Sequence, residues 1–91
     1  MNIDIRNSFL NDVKKITDKT LKAEIERIVF IVKEATTVRD IPELRKMKGS
    51  KKGIFYRIKV GDYRIGVTIV NDTVTFFVCL PRKDIYKFFP N

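Results

Sequence analysis

Residues 54–80 read IFYRIKVGDYRIGVTIVNDTVTFFVCL, and their hydropathy alternates with a period of two, the spacing that puts successive side chains on opposite faces of a sheet. β-Branched and aromatic residues fill three runs, Ile54 to Val60, Tyr63 to Val70 and Thr73 to Leu80. Gly61-Asp62 and Asn71-Asp72 separate them, and both dipeptides suit two-residue hairpin turns. The stretch therefore predicts a three-stranded antiparallel meander. Counting outward from the turns pairs Val60 with Tyr63, Ile58 with Ile65, Lys59 with Arg64 and Arg57 with Gly66. In the second hairpin it pairs Val67 with Phe76, Gly66 with Phe77, Ile65 with Val78 and Arg64 with Cys79.

This register makes two unlike faces. One carries Tyr56, Ile58, Val60, Tyr63, Ile65, Val67, Ile69, Val74, Phe76, Val78 and Leu80 and is the expected core. The other carries Phe55, Arg57, Lys59, Arg64, Gly66, Thr68, Thr75, Phe77 and Cys79 and is expected to lie open, with Gly66 leaving room for something flat. Lys59 directly across from Arg64 places like charges on paired strands, which weakens the pair. A bound phosphate turns that repulsion into shared attraction. Cys79, with no histidine anywhere to activate it, reads as a packing residue.

Upstream the period is helical. Met1 to Ile5 alternates as a short first strand, and Ser8 or Asn7 can cap a helix with Phe9, Leu10, Val13 and Ile16 along one side. Asp18 caps a longer helix whose stripe is Leu21, Ile25, Ile28, Val29 and Val32. The segment from Asp40 to Leu44 reads as a turn followed by at most one helical turn, and Lys48 to Gly53 as a basic loop. At the other end, Asp84 to Phe89 can form one helical turn before Pro90, with Phe88 and Phe89 closing the core. The expected architecture is one α+β domain over residues 1–91: an N-terminal strand and a helical hairpin on one face of a small, mainly antiparallel sheet.

The chain has 91 residues, enough for a single core, with 19 Lys and Arg against 11 Asp and Glu. The net charge of +8 resides in the second half: Met1 to Glu43 holds eight bases and eight acids, whereas Leu44 to Asn91 holds eleven bases and three acids. Such a field attracts a polyanion by counterion release, and nucleic acid is the first candidate, beside a solvated surface or a face that docks an acidic protein. One cysteine and no histidine exclude an internal disulfide and a Cys/His zinc site. No apolar run reaches membrane-spanning length, and the start, Met1-Asn2-Ile3-Asp4, lacks the order of a signal peptide. The expected setting is reduced and cytoplasmic, away from membranes.

The run from Phe55 to Arg64 resembles the strand hairpin of the RelE/ParE superfamily of bacterial toxins: a Tyr, a cation, an apolar residue, a second cation, a turn, then Tyr-Arg. Leu44-Arg45-Lys46-Met47-Lys48-Gly49 is similar to the family's segment before that strand, and Pro81-Arg82-Lys83-Asp84-Ile85-Tyr86 to its basic-acidic tail ending in Tyr. The resemblance implies a RelE-like fold and two alternatives for activity. The RelE branch cuts messenger RNA in the ribosomal A site and is neutralised by a cognate antitoxin; the ParE branch inhibits DNA gyrase and lacks the catalytic cations. Arg57, Lys59, Arg64, Arg82 and Tyr86 match the nuclease positions, which favours the first.

For a nuclease of that kind, the 2′-hydroxyl attacks the adjacent phosphorus with neither metal nor small-molecule cofactor. Lys59, flanked by cations that favour the neutral amine, is the candidate base. Arg57 and Arg64 would grip the phosphate, Arg82 would support the leaving oxygen, and Tyr86 would stack on a base or orient the 2′-hydroxyl. Arg45, Lys46, Lys48, Lys51 and Lys52 are expected to make positioning contacts to RNA without base specificity.

Overall fold

The meander is present as β3 (Phe55–Val60), β4 (Tyr63–Val70) and β5 (Thr73–Pro81) in a computed structural model that describes residues 1–48 and 52–90. Ahead of it come β1 (Asn2–Ile5), α1 (Asn7–Lys14), α2 (Lys19–Glu34), a 3-10 turn at Val38–Asp40 and β2 (Leu44–Lys46); α3 (Ile85–Phe88) follows. The strand order is β1-β5-β4-β3-β2, with β1 parallel to β5 and every other pair antiparallel. This is the expected α+β architecture. Both hairpin turns form at the predicted dipeptides, with positive φ at Gly61 (57°), Asn71 (45°) and Asp72 (62°), where glycine, Asn and Asp are the tolerant residues. Among the described residues no helix is long and apolar enough to cross a membrane.

Helical spacing buries one stripe of α2, Ile25, Ile28 and Val32, while the Asp18 carboxylate accepts from Thr20 N at 2.9 Å and Leu21 N at 3.1 Å to start that helix. Phe9 of α1 packs on Phe76 of β5 with ring centroids 5.3 Å apart. Neither Asn7 nor Ser8 caps α1; Arg6 occupies that position without a side-chain bond. Ser8 has another partner. Its hydroxyl donates to the Phe77 carbonyl, and the Asp12 carboxylate one turn later accepts from Cys79 N at 2.9 Å. β1 covers the β5 edge only as far as Phe76, so the edge beyond it needs other partners. Four helical residues rise about 6 Å and two strand residues about 6.7 Å, so side chains at i and i+4 of α1 reach successive edge positions.

The second hairpin departs from the counted register. Val67 pairs with Phe76 as expected, but Gly66 pairs with Val78, Ile65 with Cys79 and Arg64 with Leu80, because a β-bulge lies between Gly66 and Val67. One extra residue on β5, Phe77, shifts every later pairing and reverses the faces beyond it. Cys79 is therefore in the helix-side core at 2% exposure rather than on the open face, and Val78 and Leu80 leave that core for the other side. Burial and the nearby Asp12 push the Cys79 thiol up to about 12, so it stays protonated.

The segment after Asp40 also differs from expectation. Leu44, Arg45 and Lys46 form an edge strand paired with Ile58, Arg57 and Tyr56, where the end of a turn and at most one helical turn were expected. Three residues are too few for periodicity to reveal; the exposed edge of β3 recruits them.

The far side of the sheet is partly covered. Met47, Ile85 and Phe89 form a second, smaller core against Phe55, Phe77, Val78 and Leu80. Phe89 thus closes a core, though on the face opposite to the helices, and Phe88 is 56% exposed and closes none. On a single helical turn, Ile85 and Phe89 at i and i+4 share the buried side and Phe88 lies off it. The space expected beside Gly66 is filled by this chain itself: a Cβ there would stand 2.6 Å from Phe89 Cδ2 and 2.7 Å from Val78 Cγ2.

Candidate functional site

What stays uncovered is the end of this second face where the basic residues gather. Arg57 on β3 stands opposite Gly66 on β4 and opposite Arg45 on β2, and Lys59 stands opposite Arg64. Arg82 follows β5 directly and is fixed by its backbone N–H, which donates to Asp62 O at 2.7 Å. Four elements therefore send cations to one region. Arg45 was expected only as an RNA contact; strand β2 also makes it the cross-strand neighbour of Arg57.

Arg57 and Tyr86 are coupled. The Arg57 Nε donates to Tyr86 Oη at 3.2 Å, and its guanidinium carbon lies 5.9 Å from the ring centroid. Tyr86 is 55% exposed, so the pair is offered to solvent. Arg64 is held differently. Its Nη1 donates to Tyr63 O at 2.9 Å and Gly61 O at 3.0 Å, anchoring it to its own hairpin, while Nε and Nη2 carry no protein hydrogen bond among the described residues. Partial burial lowers the affinity of Arg64 for its proton, and the charges of Arg82 and Arg57 lower it further, against the opposing pull of Asp62 and Glu43. The repulsion expected from Lys59 comes instead from these two arginines. Lys59 is exposed and lines a groove of about 610 Å³ between α2 and the β3–β4 turn, beside Glu43 and Asp62.

Ion pairs among the described residues join Arg6 to Asp4, Arg27 to Glu24 and Lys87 to Asp84; Arg45, Arg57, Lys59, Arg64 and Arg82 take part in none. The cluster thus has the charge to attract an anion, and several guanidiniums whose fork geometry suits phosphate oxygens. Of the outlying basic residues, Lys48 and Lys52 are exposed. Lys46 is turned to the opposite face, level with Tyr56, because side chains of a strand alternate. Lys51 lies outside the described residues.

No family model matches the chain. A curated relative, Toxin RelE3 of Methanocaldococcus jannaschii, is 32% identical over 91 residues, spanning 99% of this chain and 100% of that protein. Among solved structures, the RelB-RelE antitoxin-toxin complex from Methanococcus jannaschii matches with a TM-score of 0.78 and 30% identity, covering 96% of this chain and 99% of that one. The RelE-RelB complex from Pyrococcus horikoshii (TM-score 0.69, 18% identity, 89% and 93% covered) and the YoeB dimer from Staphylococcus aureus (TM-score 0.69, 18% identity, 88% and 94% covered) share the fold. Identity of 32% over the full length of a curated toxin, with the fold shared at a TM-score of 0.78 by a solved relative, places this chain in the RelE family of toxins.

Proposed function

We propose that the protein is the toxin of a toxin-antitoxin pair and acts as a ribosome-dependent endoribonuclease on messenger RNA in the A site. The observation that carries this reading is the group of five cations without an ion-pair partner among the described residues, one of them hydrogen-bonded to an exposed tyrosine. Lys59 accepts the proton of the 2′-hydroxyl as the bond from that oxygen to phosphorus forms. The bond from phosphorus to the 5′-oxygen breaks, leaving a cyclic phosphate and a 5′-hydroxyl once that oxygen is protonated. Arg57 and Arg64 stabilise the charge that grows on the phosphoryl oxygens, and Arg64, already anchored to two carbonyls, loses little freedom in doing so. Arg82 supports the leaving oxygen electrostatically, since a guanidinium is a reluctant acid. Tyr86 orients the nucleotide at the cut. Arg45, Lys48, Lys51 and Lys52 hold the RNA backbone without reading its bases.

The partner is an antitoxin whose acidic residues neutralise the cationic face, as suggested by the antitoxin-toxin complex among the similar structures. The work takes place in the cytoplasm, where ribosomes are. Toeprinting of a translated message with purified protein tests the reading. Wild type should produce A-site cuts, and Lys59→Ala and Arg64→Ala should each reduce the cutting rate by about 10² or more. Absence of cuts from a protein that still arrests growth would overturn it, and a gyrase supercoiling assay would then test the ParE-like alternative.

A further inference from the structure

Tyr86 sits on a helix that cannot place itself. α3 has four residues, its N-cap Asp84 makes no side-chain cap bond, and a single turn is far below the length at which a helix is stable alone. Its position is set by what it buries, namely Ile85 at 1% and Phe89 at 5% exposure, one residue before Tyr86 and three residues after it. Phe89 is its aromatic anchor on the sheet: its ring meets Phe55 edge-on at 5.5 Å and Phe77 at 5.8 Å, and lies over Gly66 where no side chain intervenes. Gly66 is the cross-strand partner of Arg57, and Arg57 is the residue bonded to Tyr86. The contacts close into a ring, from Arg57 across the ladder to Gly66, up to Phe89, back along α3 to Tyr86 and down to Arg57.

We propose that Phe89, seated in the gap left by Gly66, is a positioning residue that fixes Tyr86 against Arg57. The inference rests on the nuclease reading for its kinetic consequence, but the geometry it claims is independent of that reading. Phe89 touches no substrate; it acts by keeping the tyrosine hydroxyl and the guanidinium in one arrangement before RNA arrives, which spares the reaction the cost of assembling them.

The test compares Phe, Leu and Ala at position 89 by two readouts, with Phe9→Leu as a control that weakens the helix-side core without touching α3. By NMR, the Arg57 Nε proton in the wild type should exchange slowly and show contacts to the Tyr86 ring; both should weaken in Phe89→Leu and vanish in Phe89→Ala, and Phe9→Leu should leave them intact. In single-turnover cleavage on programmed ribosomes, the maximal rate should fall about ten- to a hundredfold in Phe89→Ala and less in Phe89→Leu, with the half-saturating toxin concentration unchanged. Should Phe89→Ala fail to fold, wild type against Phe89→Leu carries the same comparison. An intact Arg57–Tyr86 signal after truncation, or an equal rate loss in Phe9→Leu, overturns the proposal. A wild type that does not cleave removes the nuclease reading, and the NMR series alone then decides the positioning role.

Discussion

The two faces of the sheet are built on opposite principles. Against the helices, large apolar side chains from both layers interlock, and Ile58, Ile65, Val67, Val74 and Phe76 are all fully buried. Against α3, three buried residues suffice, and the rest of the face is left to cations that repel one another. A small domain has little surplus stability, so concentrating burial on one side is what allows the other to hold unpaired charge. The difference teaches where substitutions should hurt folding and where they should hurt only the site.

Phe76→Ala attacks the centre of the helix-side core and the packing of Phe9; it should cost about 3–5 kcal/mol by urea denaturation, the usual range for a buried aromatic. A loss below 1 kcal/mol would mean that the two faces share the load more evenly than their burial indicates. Asp12→Ala probes the seam between α1 and β5: it strands the Cys79 N–H, and a destabilisation of about 1–3 kcal/mol is expected, with faster amide exchange at Cys79 than at Ile65. Exchange at Cys79 unchanged from wild type would show that the carboxylate is not its essential partner. The smallest effect belongs to the cationic face. Arg82→Ala removes a charge that works against Arg64, so stability should stay within about 0.5 kcal/mol of wild type or rise slightly. A loss above 1 kcal/mol would assign Arg82 a structural duty that the contrast between the faces denies.

The meander was legible because its cues are local. Period-two hydropathy and turn dipeptides act within a few residues, and the hairpin from Phe55 to Val70 came out in the predicted register, bringing Arg57, Lys59 and Arg64 to one face. The bulge carries no comparable mark, since Phe77 is as good a strand residue as its neighbours. Its effect on Val78, Cys79 and Leu80 was therefore hidden, as was the strand character of Leu44 to Lys46, which exists only because β3 offers an edge. The site residues were readable as a motif, but not the partner of each: neither the Arg57–Tyr86 bond nor the anchoring of Arg64 to Gly61 and Tyr63 follows from spacing.

Local periodicity and charge order thus determined, without coordinates, that this chain is an α+β domain with a helix-backed meander and a basic second half. Only the tertiary structure decided how far the other face is open, because a ring from residue 89 and a glycine at 66 meet across 23 positions of chain and neither residue type announces the other. Burial is a property of pairs brought together by the whole fold, whereas strand, turn and charge are properties a short segment already possesses.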